Sequence, residues 1–84
     1  MESISFIIPC YNEEKYIRDC IQSIKREASC LPNYEIIVVD NNCTDNTVFI
    51  AMDEQVCVVH EKQKGVVFAR QRGYLTAQYN LIAN

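Results

Sequence analysis

The sequence predicts an α/β fold, a three-layer Rossmann-like parallel sheet in the order βαβαβαβ. Three observations carry that expectation. Short β-branched apolar runs alternate with segments whose apolar residues recur at helical spacing. Each apolar run stops at a polar or turn-forming residue. Strands that alternate with helices lie parallel, joined by right-handed crossovers.

The elements follow in order. Ser3 to Ile8 (SISFII), ended by Pro9, reads as a buried parallel strand. Asn12 is placed to cap a first helix, with Glu13 and Glu14 in its positive first turn. Tyr16, Ile17, Cys20, Ile21, Ile24 and Ala28 then share one face, opposite Lys15, Arg18, Asp19, Gln22, Lys25 and Arg26. After the turn Leu31-Pro32-Asn33, Tyr34 to Val39 (YEIIVV) forms a second strand ending at Asp40. Thr44 or Asp45 caps a short helix through about Met52. Gln55 to His60 is a third strand, and Val66 to Ala77 a third helix. Ala69, Gly73 and Ala77 give that helix a small-residue stripe suited to close packing on a sheet. Leu81 to Asn84 begins a fourth strand.

Eighty-four residues make one small domain. With 49% hydrophobic and 23% charged residues the chain is globular rather than disordered. Its longest apolar runs fall far below the ~20 residues of a membrane span, and acidic Glu2 with a short first run argues against a signal peptide. The five cysteines are odd in number and show no CxxC spacing, which points to reduced cytosolic thiols rather than a disulfide or zinc framework. Cys20 and Cys57 fall on apolar faces and are expected in the core. A net charge of −3 disfavours nucleic-acid binding. Residues 61–84 nevertheless hold one acidic and four basic side chains, which fits either a solvated helix face or a site for a small anion.

Ligands of open α/β sheets bind beyond the carboxyl ends of the strands. The residues there are Pro9 to Glu13, Asp40 to Asp45, Glu61 to Gly65, and Asn84. Tyr11 can stack on a flat base, and Glu13 can accept hydrogen bonds from a ribose diol; both can equally serve packing and the helix dipole. Asp40, an acceptor at the end of a neighbouring strand, suits a base N–H or an Asx turn. Two glycines exclude a GxGxxG fingerprint. His60 is the only histidine, no Ser-His-Asp pattern exists, and nothing marks Cys10 and His60 as a nucleophilic pair.

SFIIPCYNEEKYIRDCIQSI, then YEIIVVDNNCTDNT, then KGVVFARQRG resemble the start of a family 2 glycosyltransferase. That family has the GT-A fold and uses nucleotide-diphosphate sugars. Its pattern is a strand ending in P-x-Y-N-E, a second ending in V-V-D with a polar loop ending in T-D, then K-G and A-R-x-x-G. The three blocks occur in order across essentially the whole chain. The resemblance implies that Pro9, Tyr11 and Glu13 line the nucleoside pocket, with Asp40 at the base and the Val38 backbone close by. Lys64 and Gly65 border the nucleotide, and Arg70 faces the diphosphate or braces the metal-binding loop. Asn41, Asn42 and Cys43 depart from the family, where an acidic residue, a glycine and a serine are common.

The family's Mn²⁺ or Mg²⁺ is held by an Asp-x-Asp element after the fourth strand, and its general base lies further on. Here YNLIAN reaches Asn84 first, so the metal ligands and all catalytic residues are expected outside this chain. The expectation is therefore a partial domain over residues 1–84, the nucleotide-binding portion of an enzyme that moves a sugar from a UDP- or GDP-linked donor to an acceptor hydroxyl, with inversion. Alone it is expected to be inactive. A cytoplasmic setting, membrane attachment through segments outside the chain, and self-association through an exposed fourth strand complete the expectation. The alternative is a noncatalytic α/β nucleotide-binding or interaction module. A sugar-1-phosphate nucleotidyltransferase fits less well, since PCYNEE is neither glycine-rich nor basic.

Overall fold

The computed structural model describes residues 3–83. Its elements are β1 (Ile4–Cys10), α1 (Ile17–Glu27), β2 (Tyr34–Asp40), α2 (Thr47–Asp53), β3 (Cys57–His60), α3 (Val66–Thr76) and β4 (Leu81–Ala83). The strands form one parallel sheet in the order β3-β2-β1-β4. β1 and β2 pair along their full length, from Ile4 opposite Tyr34 to Cys10 opposite Asp40. The predicted α/β order holds. The expected role of Asn84 lies outside the described residues.

Side chains of a strand alternate between the two faces of the sheet, and this splits the core in two. Cys10, Ile36 and Val38 meet Ile17 and Ile21 of α1 and Ala51 of α2. Ile7, Ile37 and Val39 meet Ala69 of α3 on the opposite face. A right-handed crossover sends helices to one face while the chain steps from β1 to β3, and to the other when it returns past β1. The sheet is thus sandwiched.

Several boundaries differ from expectation for identifiable reasons. β1 continues through Pro9 to Cys10. β4 pairs only with Ile4 to Phe6, so no ladder bond from that side is lost at a proline. α1 starts at Ile17, not after Asn12, because the Glu13 carbonyl closes a turn with the N–H groups of Tyr16 and Ile17. β3 starts at Cys57, since Gln55 turns the chain in a left-handed conformation at φ 61°. Cys20 and Cys57 are exposed rather than core. Cys20 borders an open groove beside β4 with Phe6, Ile8, Ile24 and Ala83, and Cys57 opens an edge strand.

Ser5, which interrupts the first apolar run, is fully buried because its hydroxyl has work at both ends. It donates to the Glu35 carboxylate at 2.6 Å and accepts from the Tyr79 N–H at 3.2 Å, while Glu35 also accepts from the Gln78 N–H. That cluster fixes the approach to β4. On the other side of the molecule Arg18 of α1 bridges Asp53 and Glu54 at the end of α2. The Asp53 arm is exposed and contributes little, while the Glu54 carboxylate is largely buried.

The small-residue stripe of α3 performs as predicted. Ala69 and Gly73 are buried, and a Cβ on Gly73 would collide with Cγ2 of Ile7. Gly73→Ala is therefore expected to destabilise the fold by roughly 1–3 kcal/mol through overpacking, despite the better helix propensity of alanine. Thermal unfolding should show a midpoint lowered by at least about 4 °C; an unchanged or raised midpoint would mean that α3 does not pack this closely.

Candidate functional site

The loops after β1 and β2 are locked together by side chains the sequence offered for other tasks. Asn12 adopts φ 53°, a left-handed conformation that asparagine tolerates. Its carbonyl oxygen accepts from the N–H groups of Thr44 at 2.7 Å and Asp45 at 3.3 Å, so it serves the second loop instead of capping α1. Asp45 accepts from the Thr47 N–H with one oxygen and from the Glu14 N–H with the other. It thus satisfies a free N–H in the first turn of α2, where Asn46 is the formal cap residue. Desolvation pushes the Asp45 carboxyl up, but hydrogen bonds from the Thr47 hydroxyl and amide and the Glu14 amide together outweigh it and hold the group below its ordinary value. The buried Thr47 hydroxyl in turn accepts from the Glu13 N–H at 2.9 Å.

The end of β2 divides two adjacent polar side chains between the two faces. Asp40 shares a face with Cys10 and turns toward its β3 partner: Oδ2 lies 2.7 Å from Nδ1 of His60, and Oδ1 accepts from the Cys43 N–H at 2.7 Å. Burial pushes its carboxyl up, yet the Cys43 amide and thiol together with His60 pull it below the ordinary carboxylate value. Asn41, one residue on, points the other way. Its amide nitrogen donates to the carbonyls of Glu61 at 3.1 Å and Gln63 at 2.7 Å, and its oxygen accepts from the Gly65 N–H at 2.9 Å. Gly65 has φ 130°, a backbone conformation that suits glycine.

These contacts shape a cleft of about 210 Å³ walled by Pro9, Cys10, Tyr11, Glu13, Asn41, Val66 and Ala69. Of the residues assigned from the sequence, Pro9, Tyr11 and Glu13 stand in its wall, and Tyr11 is 60% exposed. Gly65 leads into it, followed by the wall residue Val66, and exposed Lys64 precedes the glycine. Arg70 is exposed on α3 directly after the wall residue Ala69. Val38 is buried in β2 between β1 and β3. Asp40 stands opposite Cys10 at the end of β2, where His60 and the Cys43 amide engage its carboxylate. Asn41, which departs from the family pattern, stands in the cleft wall. The nucleophilic pairing of Cys10 with His60 is removed: burial first, then nearby Cys43, pushes the Cys10 thiol up to about 12, and His60 is engaged by Asp40.

Residues 5–84 match the family described as Glycosyl transferase family 2. The chain belongs to that family. It is 38% identical over 69 residues to Glycosyltransferase GlyG of Streptococcus pneumoniae, an alignment that covers 76% of this chain and 22% of the relative. Glucosyl-3-phosphoglycerate synthase from Mycobacterium tuberculosis, solved in complex with Mn²⁺, UDP and phosphoglyceric acid, superimposes with a TM-score of 0.84 at 27% identity, covering 96% of this chain and 31% of that one. S. aureus TarS gives 0.86 at 26% identity, over 95% of this chain and 26% of that one. This family 2 chain thus spans between a fifth and a third of the length of those proteins. Its sheet is the part of the GT-A fold it shares with them.

The depressed carboxylates give the family 2 loops a definite pH response. A carboxyl group held lower in the fold than in the unfolded chain stabilises at neutral pH and loses that contribution as pH falls through its folded value. Asp40, Asp45 and Glu61 are all of this kind, Glu61 chiefly through the Gln63 amide. The melting temperature should be flat above about pH 5 and fall below about pH 4. Asp40→Asn should start lower at pH 7 and lose less on acidification; parallel curves for the two proteins would remove Asp40 from this account.

Proposed function

We propose that the chain holds the nucleotide of a UDP- or GDP-linked sugar for a family 2 glycosyltransferase, which transfers the sugar to an acceptor hydroxyl with inversion. The observation that carries this reading is the cleft at the carboxyl ends of β1 and β2, where an exposed aromatic ring, a carboxylate and a helix N-terminus converge. Tyr11 stacks on the base and Glu13 accepts from the ribose hydroxyls. Asp40 has lone pairs left after Cys43 and His60 and accepts a base N–H from the neighbouring face. The first turn of α3 presents backbone N–H groups without intrahelical partners, and Lys64 and Arg70 add positive charge, a combination suited to a diphosphate.

The M. tuberculosis relative was solved with Mn²⁺, and a divalent ion, Mn²⁺ or Mg²⁺, belongs to the reaction proposed for the whole enzyme, where it neutralises the leaving diphosphate. Among the described residues no group of three His, Cys, Asp or Glu side chains could hold a metal ion. Among the described residues, too, no helix is long and apolar enough to cross a membrane. A cytoplasmic setting and pairing of the outer edge of β4 with another chain belong to the same proposal.

Calorimetry with UDP, GDP and pyrophosphate tests the reading. One nucleotide should bind at least about tenfold more tightly than pyrophosphate, because base stacking is worth roughly 1–3 kcal/mol. Tyr11→Ala should remove that advantage. No binding of either nucleotide at millimolar concentration, or an unaltered Tyr11→Ala, defeats the assignment. In a coupled assay with Mn²⁺ the chain by itself is expected to release no UDP or GDP from a sugar donor above background; sustained release would show that it carries the catalytic groups after all.

A further inference from the structure

Among the described residues the buried polar side chains are those of Ser5, Asn41 and Thr47, and of these only Asn41 stands in the cleft wall. Residues 61–65 carry the chain from β3 to α3. Asn41 donates to the carbonyls of Glu61 and Gln63 and accepts from the Gly65 N–H. Asn42 donates to the Lys62 carbonyl between them. Glu61 closes the loop from the other side: one carboxylate oxygen accepts from the Gln63 N–H and the other from Nε of Arg72 on α3.

The task suits a carboxamide. Its planar group offers two N–H donors and an acceptor, so one side chain satisfies two carbonyls and one amide at once; a carboxylate has no donor, and a hydroxyl has one. Both amide hydrogens are committed to the loop, which leaves Asn41 at the cleft with no donor for a ligand. Its influence on a ligand therefore runs through what it holds. Gly65, at φ 130°, directly precedes α3, and Val66 and Ala69 of that helix wall the cleft together with Pro9, Tyr11 and Glu13.

We propose that Asn41 is a positioning residue for nucleotide binding: its carboxamide holds the loop of residues 61–65, and with it the first turn of α3, at the separation from Tyr11 that a bound nucleotide needs. The inference rests on the nucleotide reading above. A wall already in place spares the ligand the ordering of that loop, and the difference appears as affinity. Without the carboxamide, two carbonyls and an N–H lose their partner, the loop samples other paths, and the nucleotide binds only the fraction of chains in the competent arrangement.

Calorimetry with UDP and GDP on the parent chain, Asn41→Ala, Gly65→Ala and the double variant tests it. Asn41→Ala should raise the dissociation constant of the preferred nucleotide about tenfold, through the loss of bonds of ordinary strength. Gly65→Ala strains the backbone at the same joint and should also weaken binding. The double variant should bind no more than about twofold worse than the weaker single one, because both changes act on one wall. Asn42→Gly removes only the Lys62 bond and should stay within about twofold of the parent. In amide exchange followed by NMR, the Gly65 N–H of Asn41→Ala should lose protection while β1 and β2 keep theirs, which shows the sheet intact. If Asn41→Ala does not fold, Asn41→Ser, which keeps one donor, carries the same comparison with a loss of at least about threefold. Equal affinity of the parent and the Asn41 variant, or fully additive losses in the double variant, overturns the positioning role and leaves the nucleotide reading standing. A parent chain that binds neither nucleotide at millimolar concentration overturns both.

Discussion

The carboxamide of Asn41 holds the candidate site together. It is the point at which the loop after β2 grips the loop after β3, through two donated bonds and one accepted bond at a side chain only 7% exposed. Each such bond contributes roughly 0.5–1.5 kcal/mol net, and a severed one leaves a backbone group short of a partner. Gly65 takes its conformation from this grip, and α3 begins immediately afterwards. The position of the helix N-terminus over the cleft thus follows from a single planar group with donors and an acceptor in fixed relation.

The second constraint is steric. α3 lies against β1 at a distance only glycine allows at position 73, with Ile7 occupying the space a side chain would need. Because Ile7 is two residues from Pro9, the same contact that seats the helix also sets the height of the cleft wall. Tight packing on one face and polar clasps at the strand ends are complementary, the first fixing distance and the second fixing loop path.

Fold class, element order and the strand-end location of the site were legible because they rest on periodicity, which depends on neighbours in sequence. Three features were not. Asn12 has the composition of a helix cap, and only the presence of Thr44 and Asp45 opposite it diverts its oxygen to another loop. Asp40 and Asn41 are adjacent in sequence, yet the first is engaged by His60 and the Cys43 amide and the second by the loop after β3, a division set chiefly by contacts about twenty residues away. Cys20 has the helical spacing of a core residue but borders an open groove with Phe6, Ile8 and Ile24 and is exposed among the described residues. For Asn12 the deciding contact lies far off in sequence, as with its bond to Thr44, separated by 32 residues.

The Ser5 cluster has a further consequence, for the order in which the structure assembles. β4 is matched to β1 by three residue pairs, against seven between β1 and β2. What secures it besides is a hydroxyl that joins Ser5 to Tyr79, residues 74 positions apart. A contact spanning almost the whole polypeptide forms only after the intervening loop has been closed by everything between, and loop closure of that length is entropically costly. The Ser5–Tyr79 bond is accordingly a late contact, since the 74-residue separation it closes is offset only once β1 is already held by β2.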